Sequence, residues 1–161
     1  MSLSQSSETP LSSVLPFSPY VRQAQYHETD QMGVIHHANY LKWLEEARID
    51  FLAGCGVSYG AMEAEGIVSP IAEVTCRYRQ PVRFGDSVQI TLWVKRYTGV
   101  RLTLGYAVAR EDGTVLCAEA ETVSCFMNRD GRLISLKKEC PALHALLEKI
   151  SQHHQTDVSE A

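Results

Sequence analysis

The sequence predicts an α+β fold: a curled antiparallel sheet of about five strands wrapped around one long central helix. Three observations predict it. Apolar residues recur at helical spacing over residues 39–53, strict alternation follows in several later stretches, and glycine-containing turns separate those stretches. The chain has 161 residues, 45% of them hydrophobic and 21% charged. That suits one domain with a core that needs neither disulfide nor metal.

Residues 1–18 are rich in Ser, Thr and Pro and read as a flexible N-terminal tail. The folded domain spans 19–150, and 151–161 read as a polar C-terminal tail. Tyr20 to Tyr26 forms a first strand. From Asn39 to Ala53, Tyr40, Leu44, Ala47 and Phe51 make one helical stripe, widened by Leu41, Trp43 and Leu52. That breadth predicts a helix buried on most sides. Asn39 is the expected N-cap, with Gly54 or Gly56 at the C-terminal stop. A short helix covers Tyr59 to Glu65, ending at Gly66.

Strands follow. Val74, Cys76 and Tyr78 share one face of a strand over Ala72 to Tyr78, and Pro81 ends it. Val88, Ile90, Leu92 and Val94 alternate in the next, and Val100 to Val108 in a third. Glu111-Asp112-Gly113 closes a hairpin into a strand over Thr114 to Met127. A last helix runs from Pro141 to Ile150. Short turns between the later strands predict a meander. A sheet wrapping a buried helix is the hot-dog architecture. Alternation alone also allows another α+β sandwich with a helix on one face.

Several function classes are excluded on composition. The net charge of −4 argues against nucleic-acid binding. Five cysteines without a CxxC pair read as free thiols in a reducing compartment. No apolar run approaches the roughly 20 residues of a membrane helix, and no secretory leader is evident. A soluble cytoplasmic protein with no membrane partner is expected.

The chemistry concentrates in Tyr26 to Tyr40. Asp30 precedes the glycine turn at Gly33, and two histidines lead into the helix. A carboxylate beside the N–H groups of a helix start can hydrolyse an activated acyl group. His27, His36 and His37 with Glu28 and Asp30 do not suggest a metal: adjacent histidines diverge, and no His-x-x-x-His pair is present.

The run Glu28-Thr29-Asp30-x-x-Gly33-Val34-Ile35-x-His37-x-Asn39-Tyr40, then Trp43-Leu44-Glu45-Glu46-Ala47-Arg48, resembles the hot-dog acyl-CoA thioesterases. It is most similar to the 4-hydroxybenzoyl-CoA thioesterase family and its Tol–Pal-type acyl-CoA thioester hydrolases. The likeness continues through Arg79-Gln80-Pro81-Val82 and Phe84-Gly85-Asp86. Two positions depart: Glu28 stands where many members have Asp, and His36 where Tyr is common.

The resemblance implies an acyl-CoA thioesterase that releases a carboxylic acid and free CoA. It makes Asp30 the general base or the nucleophile of a mixed anhydride. His37 supplies the backbone N–H that polarises the carbonyl, and Gly33, Val34 and Tyr40 line the oxyanion and substrate side. Glu45 is a further candidate, because another hot-dog branch carries its acid on this helix. Helical spacing favours instead an ion pair with Arg48. Arg77, Arg79, Arg83, Lys95, Arg96 and Arg101 are candidates for the CoA phosphates. No cofactor is implied, since CoA is part of the substrate. The family joins two sheets at an interface that carries the sites, which implies a homodimer or homotetramer. The alternative is a hot-dog protein that binds or senses acyl-CoA without hydrolysing it.

Overall fold

The computed structural model describes residues 18–159, with side chains through Gln152. The expected tail over residues 1–17 lies outside the described residues. The elements are β1 (Tyr20–Gln23), a 3₁₀ turn (Tyr26–Glu28), α1 (His37–Gly54), α2 (Tyr59–Ala64), β2 (Ile71–Tyr78), β3 (Ser87–Tyr97), β4 (Arg101–Arg110), β5 (Leu116–Cys125), α3 (Leu136–Glu139) and α4 (Pro141–Ser159). The hot-dog arrangement is present: one five-stranded sheet, antiparallel throughout, curls over α1.

The strand order is β1-β3-β4-β5-β2. Only β3, β4 and β5 form the expected meander. β2 pairs with β5 rather than with β3, in register from Tyr78 opposite Ala118 back to Ile71 opposite Ser124. Alternation specifies the faces of a strand but not its neighbours. The link from Arg79 to Asp86 carries the chain from one edge of the sheet to the far side of the meander. Because β2 is an edge strand, Val74 and Tyr78 are exposed, although their alternation predicts a covered face, and Ile71 at its start is exposed as well.

The core forms where α1 meets the sheet. Tyr40, Trp43, Leu44, Ala47, Arg48, Phe51 and Leu52 are the buried positions of α1, a stripe of the i, i+3, i+4, i+7 kind. They pack with Val88, Ile90, Val94, Leu104, Tyr106 and Val108 of the sheet, all nearly inaccessible. Burying each aliphatic side chain of this set contributes about 1.5–3 kcal/mol. The stripe is narrower than expected: Leu41 and Ile49 are exposed, so one face of α1 stays open. On the other face of the sheet, the Trp93 ring lies on Gly105, where an added Cβ would fall 2.4 Å from it.

The expected cap of α1 is corrected. His36, not Asn39, is the N-cap, and its Nδ1 accepts from the Ala38 N–H at 3.1 Å. At the other end Gly56 takes a positive φ of 78° just beyond the helix, where an L-residue would be strained. α4 runs past Ile150 to Ser159. Among the described residues no helix is long and apolar enough to cross a membrane.

Candidate active site

The site is built on a buried anchor. Glu28 is 5% exposed. Its carboxylate accepts from Arg22 Nη2 at 2.8 Å, the Gln25 N–H at 2.8 Å and the Trp43 indole at 2.9 Å. Burial alone would raise its pKa. The bonds from Trp43 and Gln25 and the Arg22 charge outweigh that and hold Glu28 below the ordinary carboxylate range. Arg22 stacks over Trp43 with its guanidinium carbon 4.7 Å from the ring centroid, and also bonds Glu46 at 3.2 Å. Glu28 thus ties β1 and the 3₁₀ turn to the middle of α1.

The backbone of Glu28 fixes the start of the helix. Its carbonyl accepts from the His36 N–H at 2.8 Å and from Asn39 Nδ2 at 2.7 Å. The Asn39 side chain is engaged here, which leaves capping to His36. Between these anchors the chain makes a tight loop, closed by a Thr29–Ile35 bridge and by Asp30 N–H to the Val34 carbonyl at 2.9 Å. Gly33 turns it with a φ of 74°, a conformation that favours glycine. The Ile35 N–H donates to the buried Val82 carbonyl at 2.8 Å, docking the loop on the β2–β3 link.

Asp30 lies in this loop. Its Oδ1 accepts from the Met32 N–H at 2.8 Å, and Oδ2 has no protein donor among the described residues. Asp30, Val34, His37 and Tyr40 line one cleft of about 310 Å³, together with Met32, Ile35, Tyr78, Arg79, Gln80 and Pro81. In the first turn of α1, Ala38 N–H goes to His36 Nδ1 and Asn39 N–H to the His36 carbonyl. The His37 N–H keeps no acceptor among the described residues. Asp30, partly exposed, and His37, whose N–H has no protein acceptor among the described residues, therefore line the same cleft.

The other expected residues are placed as follows. Gly33 shapes the loop, and its carbonyl takes Arg83 Nη1 at 3.4 Å. Tyr40 is buried, which pushes its hydroxyl up to about 12, so it is a neutral wall of the cleft at physiological pH. Glu45 lies outside the cleft and bonds the buried Arg48 at 2.8 Å. The imidazoles of His36 and His37 stack with centroids 4.1 Å apart rather than diverging. No group of three or more His, Cys, Asp or Glu that could hold a metal exists among the described residues. Of the candidate cations, Arg79 lines the cleft and Arg83 sits beside it, whereas Arg77 and Lys95 border a separate hollow next to Trp93. Tyr78 was not expected at the site. Its place at the end of an alternating strand carries no signal for it.

Residues 24–150 match the Thioesterase-like superfamily. The YneP protein of Bacillus subtilis (strain 168), which carries a provisional acyl-CoA thioesterase name, is 30% identical over 127 residues, 79% of this chain and 92% of that one. The 1,4-dihydroxy-2-naphthoyl-CoA hydrolase of Thermosynechococcus vestitus is 32% identical over 99 residues, 61% of this chain and 68% of that one. The crystal structure of the DHNA-CoA thioesterase from Staphylococcus aureus superposes with a TM-score of 0.83 at 31% identity, over 87% of this chain and 94% of that one. The chain belongs to the Thioesterase-like superfamily: it is a thioester hydrolase with the hot-dog fold.

Proposed function

We propose that this protein hydrolyses an acyl-CoA to a carboxylic acid and free CoA, with Asp30 and the start of α1 as its machinery. The observation that carries this reading is the cleft lined by both Asp30 and His37, the latter with a backbone N–H that has no acceptor among the described residues. The thioester carbonyl oxygen sits against that N–H, which stabilises the negative charge of the tetrahedral intermediate. Such a donor contributes about 3–4 kcal/mol. On the water route, Asp30 takes a proton from the attacking water, the C–S bond breaks, and the CoA thiolate leaves and is protonated. On the anhydride route, Asp30 attacks the carbonyl itself, and water cleaves the resulting mixed anhydride. Both routes use the Asp30 carboxylate, whose Oδ1 is oriented by the Met32 N–H.

Within the superfamily the motif around Asp30 supports membership of the 4-hydroxybenzoyl-CoA thioesterase branch. Arg83 beside the cleft, and Arg79 at it once released from its pair with Glu119 at 2.8 Å, supply charge for the CoA phosphates. The reaction requires no metal or other cofactor. The cysteines are all unpaired, which supports a reducing, cytoplasmic setting.

The cleft lies at the end of β2, whose outer edge pairs with no strand among the described residues and whose Ile71, Val74 and Tyr78 are exposed. Pairing of two β2 edges would bury these residues and close the cleft in a homodimer. Light scattering at micromolar concentration is expected to give at least twice the mass of the chain, and a monomer would refute the interface site. For the reaction, a panel of aliphatic and aromatic acyl-CoAs assayed by free-thiol release is expected to yield at least one turned over. An acyl-CoA that binds tightly and survives long incubation, with no other member cleaved, would favour a binding protein instead.

A further inference from the structure

The hydroxyl of Tyr78, the last residue of β2, donates to the His37 backbone carbonyl at 2.9 Å. The bond joins the edge strand to the first residue of α1, far away in the sequence. Its ring stands edge-on to Tyr40, with centroids 5.0 Å apart, and edge-on to His37 at 6.5 Å. The ring is thus braced from one side by a buried residue of α1, while its hydroxyl reaches the helix start. Tyr78 also lines the cleft.

We propose that Tyr78 is a positioning residue for thioester hydrolysis, which fixes the His37 backbone so that its N–H points at the thioester carbonyl. This rests on the acyl-CoA hydrolase reading. The carbonyl and N–H of His37 belong to one residue at the end of a helix, where the first turn is held by fewer bonds than the interior. A hydrogen bond to that carbonyl ties the His37–Ala38 peptide to the end of β2 and so limits displacement of the helix start, and with it of the His37 N–H in the adjoining peptide. Positioning of this kind matters because a donor must meet the developing oxyanion at about 2.7–3.1 Å. The Tyr78 hydroxyl is pushed up to about 12, chiefly by desolvation, so it remains a donor through neutral pH. The outer edge of β2 is the one proposed for dimerisation, so assembly and the aim of the donor act through the same residue.

Tyr78→Phe tests this, because it keeps the ring and removes only the hydroxyl. The expected result is a kcat about tenfold lower with KM within about twofold of wild type, at unchanged thermal midpoint and oligomeric mass. An unchanged kcat, or a raised KM with kcat intact, would overturn the proposal and leave Tyr78 a cleft wall. A second readout does not depend on turnover. The infrared carbonyl band of a bound ketone analogue of acyl-CoA is expected to lose most of its downshift in Tyr78→Phe. An equal downshift in both proteins would overturn the proposal as well. If wild type cleaves no acyl-CoA, the function reading fails by itself, and the carbonyl band still decides the role of Tyr78.

Discussion

Replacing Asp30 by Asn is expected to lower kcat for acyl-CoA hydrolysis by about 10²–10⁴-fold, the range typical of a lost general base. The substitution removes the charge and the basicity but little else. The Asn carbonyl can still accept the Met32 N–H that Asp30 Oδ1 now takes, so the loop keeps its turn. Asp30 is only partly buried and forms none of the core. Stability, oligomeric mass and KM should therefore stay near wild type, and the loss should fall on kcat. Free-thiol release under saturating substrate measures it. Full activity would remove Asp30 from the mechanism by either route.

Glu28→Ala is expected to cost about 3–5 kcal/mol of stability, the usual result of removing one partner of a buried ion pair. It strips Arg22 of its closest carboxylate, orphans the buried Trp43 indole, and frees the Gln25 N–H. Glu46 retains Arg22 only through longer contacts on a more exposed side chain. Urea unfolding at neutral pH checks the magnitude. The pH dependence follows from the direction of the Glu28 shift. Its pKa is held below the ordinary carboxylate range in the folded state. Its contribution is therefore complete above the unfolded value of about 4.3 and is lost as pH falls through the lower folded value. The gap between wild type and Glu28→Ala should be constant from about pH 6 to 8 and shrink in acid. A gap that widens in acid would contradict the assignment. Activity should fall too, because the lost side-chain bonds lock in place the residue whose carbonyl holds His36 and Asn39 at the helix start.

Much of this architecture is legible in the residues. The helical stripe of α1 and the alternation of β3 and β4 are local patterns, and the chain folds them as the patterns require. The motif around Asp30 is legible because a turn glycine and a helix start at fixed offsets place the acid and the N–H donors together. What escapes is whatever depends on a distant partner. Nothing in β2 reveals that β5 is its neighbour, or that Val74 and Tyr78 remain uncovered in a single chain. Asn39 has the better intrinsic capping propensity, yet the Glu28 carbonyl claims its side chain and His36 caps instead. Glu28 stands two residues before Asp30 in the motif, and its role as a buried anchor rests on the distant indole of Trp43. Tyr78 belongs to the site only through a bond that spans 41 positions of sequence.

In the proposed mechanism Asp30 and the His37 N–H act on one carbonyl. A crystal structure of the Asp30→Asn protein with uncleaved acyl-CoA tests it most directly. The thioester oxygen is expected about 3 Å from the His37 N–H, with residue 30 facing the carbonyl carbon. A thioester seated against Glu45, or anywhere away from the start of α1, would contradict it.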